Sequence, residues 1–158
     1  MAKNRLLRAL IRISVTSFQQ LRRSVWFFSR PTTHGVHAIP LTLEGNIVLV
    51  KLTYASGWRL PGGGRKVDEA PEDAVVRELR EEIGMVAHGA IRHIYDFRHE
   101  PDFRKGVAAL FVVPDVTYRP PRWSLEIEEV REFAPDALPH DLAFIARRQI
   151  ADARGSLT

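Results

Sequence analysis

The residues with the clearest chemical potential are acidic side chains and glycines between positions 62 and 84. Glu78, Glu81 and Glu82 are three and four residues apart, so on a helix their carboxylates share one side. Adjacent carboxylates repel one another unless a cation lies between them. Magnesium prefers a few carboxylates together with water and phosphate oxygens. The spacing therefore predicts a magnesium-diphosphate site.

An arginine and a glycine turn accompany these carboxylates. Arg77 lies four residues before Glu81 and can pair with a carboxylate to fix its orientation. The turn Gly62-Gly63-Gly64 has no side chains, so its backbone can approach a metal ion and a phosphate closely. A charged helix face is usually only a solvated surface. The glycine turn and Glu69 in register favour a functional site instead.

A helix must carry the three carboxylates, and the sequence predicts it from Pro71 to Ile83. Proline suits the first turn of a helix, and Asp68 or Glu69 can cap it. Gly84 is a natural C-terminal stop. A stripe of apolar residues can dock this helix on a core; it comprises Ala74, Val75, Leu79 and Ile83.

The segment from Gly63 to Met85 resembles the signature of the Nudix hydrolases. It reads Gly, five residues, Glu, seven residues, Arg-Glu-apolar-x-Glu-Glu-x-Gly-apolar, with every fixed position filled. The resemblance implies an α/β fold, the Nudix α/β/α sandwich with a mixed, partly curled sheet between helices, here over residues 31–158. It also implies hydrolysis of a nucleoside diphosphate linked to a second moiety X.

The same resemblance implies roles for individual residues. Glu78, Glu81 and Glu82 would bind Mg²⁺, for which Mn²⁺ could substitute, and Glu78 could act as the base toward water. Arg77 would orient that glutamate, and Glu69 would support the loop or an outer metal position. The carbonyl of Gly63 would be a further metal ligand.

A further glutamate outside the signature is expected from the stretch Glu126–Phe133, which is similar to a Glu-Ile-x-Glu-Val-Arg-Trp-Phe sequence of the family. Glu126 is the first candidate for a metal-binding and catalytic role, and Glu129 is the second. Glu132 replaces the usual tryptophan. An exposed acidic edge strand is the alternative interpretation.

The resemblance leaves the substrate open. Pro101 lies sixteen residues after Met85, which is similar to the ADP-ribose pyrophosphatase pattern and favours ADP-ribose or another nucleotide sugar. A nucleoside triphosphate or deoxynucleoside triphosphate is the alternative. A non-catalytic Nudix-fold module that binds nucleotides is a third hypothesis, and the complete set of glutamates argues against it.

Residues 1–30 differ in character from the rest. Up to residue 43 the chain has basic residues but no acidic one, and all 19 acidic residues follow from Glu44 onward. Residues 4–28 predict a basic amphipathic helical extension that packs on its own domain or on a second copy in a homodimer. Alternatively this helix lies on an anionic membrane surface. Binding of RNA is the third alternative, and a nucleic-acid partner is not expected because no binding module is recognisable.

Other features bound the class of protein. Arginines interrupt residues 4–28, so neither a transmembrane helix nor a signal peptide is expected. The chain has no cysteine, which excludes disulfides and fits the cytoplasm. We therefore expect a cytoplasmic protein, associated with a membrane surface if the extension binds lipid.

The remaining elements are predicted from apolar patterns. Residues 34–43 and 46–53 predict a strand pair joined by a short turn, and residues 91–97 and 107–113 predict two more strands. The polar loop 98–105 between the latter two lies where family members select substrates. A closing helix that opens at Leu138-Pro139 has an apolar stripe; it comprises Leu142, Ile145, Ala146 and Ile150. Trp58 is expected to pack under the glycine turn.

Overall fold

The computed structural model describes residues 33–99 and 106–157. Two helices are α1 (Pro71–Ile83) and α2 (Phe144–Asp152), and a 3₁₀ turn follows at Arg154–Ser156. The strands are β1 (Thr33–Pro40), β2 (Ile47–Leu52), β3 (Trp58–Arg59), β4 (Gly62–Gly64), β5 (Met85–Ala87), β6 (Arg92–His99), β7 (Gly106–Val113), β8 (Thr117–Tyr118) and β9 (Ile127–Phe133).

Two sequence-based predictions fall outside these residues, namely the N-terminal helical extension and the substrate-selecting role of Pro101. Both stay predictions. Within residues 33–99 and 106–157, no helix is long and apolar enough to span a membrane.

The strands form a mixed sheet and two antiparallel sheets. The four-stranded sheet has the order β4-β1-β7-β6, in which β1 and β7 are parallel and the outer pairs are antiparallel. A three-stranded antiparallel sheet has the order β3-β2-β9, and β5 pairs with β8. The predicted α/β class with a mixed sheet between helices is confirmed.

The buried side chains form two clusters, and successive residues along a strand belong to different clusters. Val36 and Ala38 of β1 are buried in a cluster with the apolar stripe of α1, whereas Ile39 is buried in a cluster with α2. Successive side chains of a strand point to opposite faces, so one face of β1 packs on α1 and the other face belongs to the cluster with α2. The helix α1 is therefore held at a fixed position beside β1 and β4.

The predicted pairing of the first two strands was wrong except at one bridge. Leu41 and Ile47 form an isolated bridge, but β1 pairs with β4 and β7, and β2 pairs with β3 and β9. The apolar pattern gives the strands correctly but does not give their partners.

Helix α1 spans the predicted residues and buries the predicted stripe, but its predicted cap was wrong. The N-cap residue is Ala70, with no side-chain hydrogen bond, and Pro71 follows at the first helical position. Asp68 has a positive φ of 62°, and the Glu69 carboxylate is directed elsewhere. At the other end Gly84 adopts a left-handed conformation with φ 68° and ends the helix, as predicted.

The second helix begins later than predicted. It starts at Phe144 and not at Leu138-Pro139, because Trp58 draws the preceding segment into backbone pairing. The Trp58 N–H donates to the Asp141 carbonyl at 3.0 Å, and the Ala143 N–H donates to the Trp58 carbonyl at 2.9 Å. Within the predicted stripe, Ile145 is 37% exposed, whereas the other three side chains are buried.

Candidate metal and diphosphate site

Arg77 joins the glycine turn, the loop before α1 and a carboxylate of α1. Its Nε and Nη2 donate to the two carboxylate oxygens of Glu69 at 2.8 and 3.0 Å. Its Nη1 donates to Glu78 Oε1 at 2.7 Å, and Nη2 also donates to the Gly64 carbonyl at 2.8 Å. The planar guanidinium suits this bidentate pairing. Arg77 therefore fixes the orientation of Glu78.

Glu69 has a supporting position in this arrangement. Besides Arg77, the Lys66 N–H donates to its Oε2 at 2.8 Å. The Arg77 hydrogen bond and then the Lys66 N–H lower the pKa of Glu69 to about 2. Both oxygens thus hold the loop before α1, which fits the loop-supporting alternative of its predicted role.

Glu78 packs directly on the glycine turn. A Cβ at Gly63 would lie 2.7 Å from the Glu78 carboxylate carbon and from Oε1, so only glycine leaves room for this carboxylate. The Glu78 side chain is 12% exposed. Burial raises its pKa, the Arg77 hydrogen bond opposes this shift, and the charges of Glu81 and Glu126 add to the rise. Glu78 is thus a desolvated carboxylate beside other negative charges.

Glu82 contacts the first glycine of the turn. Its Oε2 accepts the Gly62 N–H at 2.9 Å. Burial raises the pKa of Glu82 to about 8, the Gly62 N–H opposes the shift, and nearby carboxylates raise it further. Gly62 itself has φ 149°, and a Cβ there would overlap the Val36 carbonyl. Glu81 is more open at 60% exposed, with Oε2 3.5 Å from Arg77 Nη1.

The two predicted glutamates outside the signature lie in different surroundings. The Glu126 carbonyl accepts the Thr53 N–H at 2.9 Å, and its charge acts on both Glu78 and Glu82. Glu129 instead pairs in register with Lys51, which lies over the Trp58 ring, and accepts a hydrogen bond from Arg131. The structure therefore brings Glu126, and not Glu129, to the carboxylates of α1.

Two neighbouring positions show how the family pattern is altered. Glu132, at the usual tryptophan position, accepts hydrogen bonds from the Tyr118 hydroxyl at 2.9 Å and from Asn46 Nδ2 at 3.3 Å. Trp58 is buried, with an edge contact to Phe133, so it is a packing residue as expected, but it belongs to the cluster that packs on α2. Glu132 therefore forms polar contacts in place of a packed ring.

Arg59 was not predicted as a site residue from the sequence. It pairs with Val50, whose side chain belongs to the α1 cluster, and it lies three residues before Gly62. Its Nε is one of two buried side-chain atoms without a hydrogen-bond partner in the described part of the chain. The sequence does contain a signal for this residue, because Arg59 is a charged residue between the apolar Trp58 and Leu60, just before the glycine turn.

The donor set fits a divalent cation that shares its coordination with substrate. Among the residues that the structure describes, no three His, Asp or Glu side chains form a cluster that could hold a metal by itself. Magnesium commonly binds one or two carboxylates and completes its shell with water and substrate phosphates. Hard oxygens of Glu78 and Glu82 converge on the backbone of the glycine turn, which suits this mode.

Comparison with known proteins agrees with this geometry. The sequence matches the NUDIX domain over residues 31–153, so the chain belongs to the Nudix hydrolase family, whose members generally use divalent metal ions. It is 38% identical over 54 residues to the RNA pyrophosphohydrolase of Marinomonas sp., a match that covers 34% of either chain. The chain thus spans about a third of the length of such relatives.

Solved structures share the fold. A MutT NUDIX hydrolase from Burkholderia pseudomallei is 26% identical with a TM-score of 0.66, covering 77% of this chain and 97% of that chain. The NUDIX domain of Shewanella oneidensis NrtR, solved with ADP ribose, is 20% identical with a TM-score of 0.64 and covers 80% and 89%. The latter likeness concerns the fold alone.

Proposed function

We propose that this chain is a magnesium-dependent pyrophosphohydrolase that cleaves a nucleoside diphosphate linked to a moiety X. The observation that carries the proposal is the contact of Glu78 and Glu82 with the backbone of Gly62 and Gly63, with Arg77 fixing Glu78. Both carboxylates are largely withdrawn from water and face a backbone turn without side chains. A bound cation would offset the repulsion between these carboxylates, and it would also bind the diphosphate.

The roles of the residues follow from their contacts. Arg77 holds Glu78 through Oε1, which leaves Oε2 without a hydrogen bond in the described part of the chain and able to accept a proton from water or to bind the cation. Glu82, Glu81 and Glu126 supply further negative charge to hold the cation, and the Gly63 carbonyl is a further ligand. Bound Mg²⁺ or Mn²⁺ would neutralise phosphate charge and activate water. Glu69 holds Arg77 and the loop before α1.

Two classes of substrate are carried forward. ADP-ribose or a nucleotide sugar follows from the position of Pro101, which lies outside the described residues. The second candidate is the 5′ end of an RNA. It is supported by the similarity to proteins of Marinomonas sp. and Gluconacetobacter diazotrophicus that are named RNA pyrophosphohydrolase. The RNA candidate departs from the expectation that nucleic acid is not a partner.

The test is phosphate or pyrophosphate release from a panel of substrates with Mg²⁺ or Mn²⁺. The panel comprises ATP, dGTP, ADP-ribose and a 5′-triphosphorylated RNA. Wild type is compared with Glu81→Gln and Glu82→Gln, and with Glu72→Gln as the matched control, since Glu72 is an exposed carboxylate in the first turn of the same helix. We expect metal-dependent turnover that both site variants lose by at least about 100-fold and the control keeps.

Two outcomes would contradict the proposal. Turnover that survives in Glu81→Gln and Glu82→Gln would place the chemistry elsewhere. Tight binding of a panel member by calorimetry without any turnover, in a folded protein that binds metal, would instead favour a Nudix-fold binding module.

A further inference from the structure

The segment from Arg119 to Glu126 is fixed to the candidate site at both ends. At one end, the Arg119 N–H donates to the Gly84 carbonyl at 2.9 Å, two residues beyond Glu82. At the other end, Thr53 donates from its N–H to the Glu126 carbonyl at 2.9 Å and from its hydroxyl to the Leu125 carbonyl at 2.8 Å. The segment therefore starts beside the C-terminal end of α1, the helix that carries Glu78, Glu81 and Glu82, and it ends at Glu126.

This segment carries an unusual combination of side chains. Trp123 is 61% exposed, although tryptophan is generally among the more buried residues. Arg119 and Arg122 are also exposed, and neither has an ion-pair partner in the part of the chain that the structure describes. Pro120 and Pro121 lie between the arginines and fix their own φ angles, so the segment loses little entropy on binding.

Aromatic and cationic side chains together recognise a nucleotide chain. A base stacks on an exposed aromatic ring, and arginines pair with the phosphates on either side. A small nucleotide, by contrast, is normally enclosed in a concave pocket that buries most of its surface. An exposed tryptophan that follows two exposed arginines in the chain suits a ligand that continues beyond the active site.

We propose that Trp123, with Arg119 and Arg122, binds the second nucleotide of a 5′-phosphorylated RNA whose first nucleotide carries the scissile diphosphate. The inference rests on the proposed function and assigns the substrate class to the RNA candidate. Trp123 provides the stacking surface, and the arginines bind the phosphate that joins the first two nucleotides. None of the three touches the reacting phosphorus.

The test compares the 5′-triphosphorylated dinucleotide pppApG with ATP, which lacks the second nucleotide. Trp123→Ala is expected to lower kcat/KM for pppApG by about 10-fold or more and to change kcat/KM for ATP by less than about 2-fold. Trp123→Phe should retain most of the preference. Phe144→Ala is the matched control, because Phe144 is an aromatic side chain at the start of α2 that is 82% exposed.

Salt dependence gives a second measure of the same contact. Each phosphate contact on a single strand contributes about 0.7 to the slope of log affinity against log salt. Arg122→Ala should reduce that slope by about 0.7 for pppApG and leave it unchanged for ATP. An equal loss on both substrates in Trp123→Ala, or no loss on either, would overturn the proposal.

Binding of the products separates this inference from the proposed function. Calorimetry with pApG and pA needs no turnover. If the wild type cleaves nothing, the proposed hydrolysis fails, but weaker binding of pApG alone by Trp123→Ala would still support the stacking contact. If the wild type cleaves ADP-ribose and binds pApG no better than pA, the proposed hydrolysis is supported. The proposed binding of a second nucleotide by Trp123 is then wrong.

Discussion

The two helices on opposite sides of the sheets are built alike but carry different charges. Both begin after an alanine whose side chain gives no cap, and both bury an apolar stripe. In α1, Arg77 and Glu78 are largely withdrawn from water, whereas Arg148 and Asp152 of α2 form an exposed ion pair. Burying charge is costly, and α2 shows that packing on these sheets does not require it. The buried charges of α1 therefore support the proposed function.

The largest expected difference between the helices is in turnover. Glu78→Gln should lower kcat by about 10²–10⁴-fold, since it removes a group able to accept a proton at the site. Arg148→Gln also neutralises one charge, but on α2, and should leave kcat within about 2-fold. Steady-state kinetics on the best substrate of the panel measures both. Comparable losses in the two variants would remove the distinction between the helices.

The glycines that face α1 give the next largest effect. Gly63→Ala should displace the Glu78 carboxylate and lower kcat by roughly 10²-fold. Because that carboxylate is the flexible end of its side chain, the melting temperature should change little. Gly64→Ala is the matched control, since a Cβ there meets nothing within 4 Å. Equal activity of the two alanine variants would show that Glu78 does not need its observed position.

A smaller effect is expected from Arg77→Lys. Lysine keeps the positive charge but cannot form the bidentate pair with Glu69 while also reaching Glu78 and the Gly64 carbonyl. We expect kcat to fall by about 10–100-fold with a small change in KM, because Arg77 positions a carboxylate and touches no substrate. Binding of Mn²⁺ followed by electron paramagnetic resonance tests the positioning directly. A variant that binds Mn²⁺ and turns over like the wild type would contradict this role.

The smallest effect concerns stability. The pKa of Glu82 rises from 4.5 to about 8 in the folded chain, so the fold loses stability as the pH rises from about 4.5 toward 8. Glu82→Gln should therefore stabilise the metal-free protein by roughly 1–3 kcal/mol at pH 8 and by much less at pH 4.5. Thermal melts at the two pH values measure this difference. A destabilised variant at pH 8 would show that burial does not disfavour the charged form of Glu82 in the folded chain.

The sequence predicts α1 better than α2, and the reason is physical. The stripe Ala74, Val75, Leu79 and Ile83 repeats at helical spacing between a proline and a glycine, so local signals agree and all four residues are buried. Pro139 gives an equally good local start for α2. The backbone pairing of Trp58 with Asp141 and Ala143 overrides that signal, and no local pattern contains a partner more than eighty residues away.

The candidate site shows the same limit. Its residue types and spacing predict the carboxylates of α1, and the structure brings Glu78 and Glu82 onto the glycine turn. The bidentate pair of Arg77 with Glu69 was not predicted, because the two residues are eight positions apart and the fold of the loop before α1 brings them together. The resemblance placed Glu126 before Glu129 without a physical reason, and the strand register supplies one because it pairs Glu129 with Lys51.

The close approach at the end of α1 has a consequence for engineering. A Cβ at Gly84 would overlap the Arg119 carbonyl, so the helix end and the following segment meet at a single point where no side chain fits. The Thr53 contacts to Leu125 and Glu126 form a second such junction. Because Ser124 Oγ accepts the N–H groups of Glu126 and Ile127 at 3.2 and 3.0 Å, a graft between the junctions should exchange residues 120–123 and keep Ser124. Residues 120–123 are thus the segment to vary when the proposed contact with the second nucleotide is redesigned.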